Sequence, residues 1–237
     1  MSRAARVGIF GGTFNPIHLG HLHAAEEVID ALGLERMLFV PSGAPPHKSG
    51  SQCDPIAPAE LRLAWTRAAI AGNARFAVDA LEVERGGTSY SVETLRTLGK
   101  QIAPDLPVFV LGVDAFSEVG TWREPDALFT LANFAVITRP GTAADAVSRQ
   151  AKRAASRRRA EPTDWLPARV RGAFELARDG RSARHREAGT WARLLEIAAL
   201  DISASDIRAR LRSGRSVRYL LPHSIWEAVL QSRVYAA

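Results

Sequence analysis

Gly11-Gly12-Thr13-Phe14-Asn15-Pro16-Ile17-His18-Leu19-Gly20-His21 links a short β-branched run, RVGIF (6–10), to a helical pattern, HLHAAEEVIDALG (21–33). Leu22, Ala25, Ile29 and Leu32 fall on one helical face, and Gly33 is a stop signal. A second apolar run, RMLFVP (36–41), follows at once. The order strand, helix, strand predicts a β-α-β unit with a right-handed crossover. In an open α/β sheet, ligands bind beyond the carboxyl ends of the strands, where this stretch lies. Gly11 and Gly12 lack Cβ atoms, which lets backbone N–H groups approach an anion. The helix starting near His18 adds unpaired N–H groups and a positive dipole end. His18 and His21 are three residues apart, so both rings reach one edge of the first turn as N–H donors to phosphate oxygens. The string is neither GxxxxGK[ST] nor GxGxxG. A metal site built on the two histidines lacks a third ligand nearby. The plainer alternative is a Gly-rich turn with two satisfied histidines.

Working outward, the alternation continues. Residues 58–72 read as helix, 76–84 as extended, and 91–100 as a helix with Ser91 as its N-cap. Residues 107–112 and 133–141 read as buried strands, and 196–203 as the last strand before a helical end. This predicts an α/β fold, a doubly wound parallel sheet, in one domain spanning 1–237. Residues 142–194 are rich in Arg, Ala and Glu and poor in β-branched residues. They predict a polar, Arg-rich helical excursion. The ends, 1–4 and 235–237, read as loose.

Of 237 residues, 46% are hydrophobic and 24% charged, an ordinary globular balance. The lone cysteine, Cys53, excludes an internal disulfide and agrees with a reducing compartment. The apolar stretch at the N-terminus is too short for a signal peptide, and no run approaches the ~20 residues of a membrane span. A cytoplasmic protein is the expectation, and a homo-oligomer is compatible with it. Thirty-one Lys+Arg against 25 Asp+Glu give a net charge of +6. Such a balance suits nucleotides, nucleic acids or anionic surfaces without choosing among them. The arginine runs at 149–159 and 169–186 read most simply as a solvated helix face.

A second anion-binding candidate is Ile202-Ser203-Ala204-Ser205-Asp206-Ile207-Arg208, at a strand-to-helix junction. Ser203 and Asp206 have capping-box spacing, and Ser205 could equally be the cap. The hydroxyls, the N–H groups and Arg208 could converge on one anion. Near the second strand, the stiff loop Pro41–Lys48 could turn His47 and Lys48 toward an anionic partner, or be an exposed polar loop.

GGTFNPIHLGH resembles the (H/T)xGH signature of the nucleotidylyltransferase superfamily, in the form carried by the bacterial nicotinate-mononucleotide adenylyltransferases. ISASDIR resembles the family's second signature, ISSTxIR, with Ala204 in place of a serine and Ser205 in place of a threonine. The resemblance covers most of residues 6–141 and 195–232. It implies a Rossmann-like fold and transfer of AMP from ATP to nicotinic acid mononucleotide, with Mg²⁺ accompanying ATP and no protein metal ligands named. Catalytic roles are implied for His18, His21 and Arg208. ATP contacts are implied for Gly11, Gly12, Thr13, Phe14, His18, His21, Arg139, Ser203, Ser205 and Arg208. Acceptor contacts are implied for His47 and Lys48 in a PPHK segment, and for Ser91 and Thr94 in a SYSxxTL segment where the family has threonine at Ser91. They are also implied for Asp114 near the ribose and for Trp122 stacked on the pyridine ring. The rival expectations are an adenylyltransferase for phosphopantetheine and a basic nucleic-acid-binding protein. No recognised nucleic-acid motif supports the second, and neither nucleic acid nor membrane is expected as a partner.

Overall fold

Strand β1 (Val7–Gly12) is buried at Val7–Phe10 and half-buried at its two glycines. The computed structural model describes residues 6–44, 55–138, 165–198 and 200–236. His47, Lys48, Cys53 and Arg139 lie outside the described residues. Helix α1 (Leu19–Leu32) starts after His18 and stops at Gly33, whose φ of 62° is the left-handed conformation that glycine adopts without a Cβ penalty. Its buried face is Ala24, Ala25, Val28 and Ile29. Strand β2 (Arg36–Pro41) and strand β3 (Phe76–Val78) run parallel, with Met37 opposite Phe76 and Phe39 opposite Val78. Helix α2 (Ala59–Ile70) lies between them in sequence.

The extended run expected over 76–84 ends early. The Asp79 backbone N–H still donates to the Phe39 carbonyl at 2.9 Å, but its carboxylate accepts from the Leu81 N–H at 2.8 Å. That Asx-type bond turns the chain into helix α3 (Leu81–Arg85).

Helix α4 (Ser91–Ile102) leads into strand β4 (Val108–Gly112), then α5 (Val113–Ser117), a 3-10 turn (Val119–Thr121), α6 (Pro125–Leu131) and strand β5 (Asn133–Thr138). Strands β4 and β5 are parallel over five residue pairs, from Val108–Asn133 to Gly112–Ile137. After the short helix α7 (Ala168–Arg171) come β6 (Phe174–Leu176), β7 (Ser182–His185) and β8 (Trp191–Glu196).

The helical expectation for 142–194 is therefore wrong over its described part. Strand β8 runs parallel to β5, and the β6–β7–β8 ribbon is antiparallel. Ala, Arg and Leu favour helix in isolation. Here burial of Phe174, Ala183 and Ala192 against the sheet outweighs that propensity. The strand expected at 196–203 likewise sits earlier, at Trp191–Glu196. Helices α8 (Ala204–Arg212) and α9 (His223–Ser232) close the chain.

The chain forms two compact units. The first comprises Ile9–Ser89 with Leu200–Ala237, and the second Met1–Gly8 with Tyr90–Ala199. In the first, strands lie in the order β3-β2-β1; in the second, β4-β5-β8-β7-β6. The first buries Ile9, Phe39, Val28, Trp65 and Tyr235; the second buries Val110, Phe116, Phe129 and Phe134. Each fully buried large apolar side chain contributes about 1.5–3 kcal/mol. The fold is Rossmann-like α/β, with parallel strands flanked by helices. No helix among the described residues is long and apolar enough to cross a membrane.

Candidate functional site

In the first unit, the loop after β1 is shaped by what its glycines leave out. A Cβ on Gly12 would stand 2.9 Å from the Phe14 ring. Phe14 has φ +47°, rare for an aromatic residue, and its ring is buried edge-on to Phe10 at 5.8 Å and to His21 at 5.1 Å. Gly20 works the same way. A Cβ there would lie 3.1 Å from His18 Nδ1 and 3.4 Å from the Ile202 carbonyl. The first helical turn can therefore lie close against the start of the second anion-binding candidate.

His18 caps α1 in an extended conformation and is buried, with the ring of half-buried His21 stacked on it at 3.7 Å. The His18 backbone N–H donates to His21 Nδ1 at 3.3 Å. In neutral His21 the proton then sits on Nε2, which can donate to an anion. The Leu19 N–H donates to the Leu220 carbonyl, 3.1 Å away.

The late segment meets this loop directly. Arg208 Nη1 donates to the Asn15 carbonyl at 2.8 Å, across 193 residues of sequence, and Nη2 donates to Ser205 Oγ at 3.1 Å. Ser203 is the N-cap of α8 and accepts from the Asp206 N–H at 3.1 Å, which decides between the two candidate caps. The Asp206 carboxylate accepts from Arg210 Nε at 2.7 Å rather than completing a capping box.

Three residues that sequence reasoning passed over hold this geometry. Asn15 Oδ1 accepts from the Ala57 N–H at 2.9 Å and from the Tyr235 hydroxyl, while Nδ2 donates to the Pro55 carbonyl at 3.0 Å. Tyr235, expected to be loose, is 1% exposed; burial pushes its phenol well above the ordinary range, against the pull of Arg208 and Arg62. Arg62 is also 1% exposed and donates to the carbonyls of Thr13, Gly43 and Ala57. The available signal was a charged residue in the apolar stripe of α2, beside Leu63, Trp65, Thr66 and Ile70.

In the second unit, Tyr90 rather than Ser91 is the N-cap of α4, and Ser91 is the first helical residue. Its neighbourhood is set by Arg123, which stacks over the Tyr90 ring at 4.7 Å and pairs with Glu93 at 3.3 Å. Trp122, next to Arg123 in sequence, is half-buried, and its ring meets Phe109 edge-on at 6.5 Å. Thr94 is buried in the first turn of α4. Asp114 is exposed in the first turn of α5, just beyond the end of β4. Glu124, at φ +50°, pairs with Arg96, which holds its carboxyl below the ordinary range.

The chain is similar to several known proteins. A cytidylyltransferase-like family model matches residues 9–210. The protein named probable nicotinate-nucleotide adenylyltransferase of Geotalea daltonii is 39% identical over 97% of this chain and 98% of its own. Its namesake from Geobacter sulfurreducens is 38% identical over 98% of each chain. The chain belongs to the nicotinate-nucleotide adenylyltransferase family. This member of the family also shares its fold with the nicotinic acid mononucleotide adenylyltransferase of Plasmodium falciparum, solved with NaAD. That structure aligns with a TM-score of 0.66 at 15% identity, over 98% of this chain and 97% of the other.

Proposed function

We propose that the chain transfers AMP from ATP to nicotinic acid mononucleotide, giving nicotinic acid adenine dinucleotide and pyrophosphate in cytoplasmic NAD biosynthesis. The observation that carries this reading is the meeting of its two anion-binding segments, with Arg208 bonded to the Asn15 carbonyl at 2.8 Å. The acceptor's 5′-phosphate attacks the α-phosphorus in line. A new P–O bond forms, the bond to the β-phosphate bridge breaks, and pyrophosphate leaves. The attacking phosphate is already ionised, so catalysis is positioning and charge stabilisation. His18 and His21 stabilise charge on the phosphates, and Arg208 with Ser203 and Ser205 holds the departing end. Backbone N–H groups of Gly11, Gly12, Thr13 and Phe14 line the phosphate side. Ser91, Thr94 and Asp114 supply hydroxyls and a carboxylate for the acceptor, and Trp122 stacks on its pyridine ring. His47 and Lys48 on the acceptor side, and Arg139 on the ATP side, complete the proposal.

No trio of His, Cys, Asp or Glu among the described residues is grouped to hold a metal ion. Mg²⁺ is taken to enter with ATP, bound mostly through ATP oxygens and water. The test is pyrophosphate release from Mg-ATP with nicotinic acid mononucleotide, nicotinamide mononucleotide or phosphopantetheine as acceptor. Fastest release with the nicotinic acid form is expected. Release independent of acceptor, or fastest with phosphopantetheine, would overturn the reading.

A further inference from the structure

Arg62 stands out as a buried cation whose guanidinium donates to three backbone carbonyls. Nη1 donates to Thr13 at 2.7 Å, Nη2 to Gly43 at 2.8 Å and Nε to Ala57 at 2.9 Å. Its rigid fork thus ties three loops to one helix: the phosphate loop, the loop after β2 and the approach to α2. Three neutral carbonyls are an odd set for so strongly desolvated a charge. Burial pulls its pKa down, and Tyr235 and Glu82 offset part of that. A shell of hydrophobic residues would fill the same space without the desolvation cost.

The Thr13 bond explains what the charge achieves. In a planar trans peptide the C=O and the following N–H point in opposite directions. A Thr13 carbonyl turned inward to Arg62 therefore turns the Phe14 N–H the opposite way. Phe14 itself has φ +47°, a strained conformation for a non-glycine residue that persists only where its surroundings enforce it. Two restraints do so: the ring is packed among Phe10, Phe39 and His21, and the preceding carbonyl is held by Arg62.

We propose that Arg62 is a positioning residue for phosphate binding, which holds the Thr13 carbonyl inward so that the Phe14 N–H is aimed at the nucleotide's phosphates. The assignment deepens the reaction proposed above and rests on its placement of the phosphates at this loop. Arg62 touches no substrate; it acts through the peptide between Thr13 and Phe14.

The test compares the parent chain with Arg62→Lys, which keeps the charge but offers one nitrogen where the arginine uses three set in a rigid plane. Tripolyphosphate binding is measured by calorimetry, and turnover is measured per folded molecule well below each protein's own Tm. Arg62→Lys should weaken tripolyphosphate binding at least about tenfold and lower kcat by a similar factor, while KM for the mononucleotide stays within about twofold. A lower Tm with unchanged tripolyphosphate affinity and kcat would make Arg62 a fold staple and overturn the proposal. Arg62→Gln, which keeps a forked donor, is read the same way if the lysine variant does not fold; failure of both to fold also overturns it. A parent chain that does not bind tripolyphosphate at all overturns it too. A parent chain that binds tripolyphosphate but makes no dinucleotide would remove the reaction, and a weakened variant would still support the role of Arg62.

Discussion

The two units hold their candidate residues in different ways. In the first, His18 is buried, and Asn15, Arg62, Arg208 and Tyr235 are buried and bonded across 49 to 220 residues of sequence. In the second, Ser91, Asp114 and Trp122 are half-buried or exposed, and the charges around them pair at the surface, as in Arg96–Glu124 and Arg123–Glu93. The difference matches the two tasks proposed for these residues. Charge developing on a triphosphate calls for donors that do not reorganise. A planar ring with a carboxylate is recognised by stacking and hydroxyls, which tolerate small adjustments.

The contrast can be broken at its strongest point first. His21→Ala should lower kcat by about 10²–10³-fold with an unchanged far-UV circular dichroism spectrum; near-normal turnover would remove His21 from the chemistry. On the other unit, Trp122→Ala should raise KM for the mononucleotide about tenfold, with kcat and KM for ATP close to the parent. Equal effects on both substrates would erase the distinction between the units.

Tyr235→Phe sharpens the comparison through stability. It removes the hydroxyl bond to Asn15 and should cost about 1 kcal/mol in urea denaturation at neutral pH. The folded state favours the neutral phenol, because burial raises its pKa above the ordinary 10.0. The stabilisation it brings is therefore present below pH 10 and is lost as pH rises beyond it, so the parent should lose stability there more steeply than the variant. The smallest effect is expected at the surface. Arg96→Met should leave Tm within about 3 °C, since exposed ion pairs contribute little. A larger drop would show that the αL residue Glu124 depends on that pair.

What could be read in advance was local. The glycines, the paired histidines and Ser203 act through neighbours a few residues away, so their order in the chain carries their geometry. Asn15, Arg62 and Tyr235 act through carbonyls and hydroxyls far along the chain, and nothing near them in sequence names those partners. The two strand-to-helix segments were legible for the first reason, and the network that fixes them was hidden for the second. The β6–β8 ribbon was missed because its residues favour helix until β5 offers them a ladder. Asp79, a single side chain accepting from the N–H two residues on, was enough to cut an expected nine-residue extended run down to Phe76–Val78.

Asn15 is bonded to residues 208 and 235, so its bonding is complete only once both have been made. On the ribosome the opening loop has to wait, with its strained Phe14, for partners made some two hundred residues later. A nascent chain halted short of Tyr235 would carry both histidines yet lack the hydroxyl that anchors their loop. The ability to grip a nucleotide should therefore arrive late and abruptly in the life of each molecule, once Tyr235 has been made, rather than by degrees.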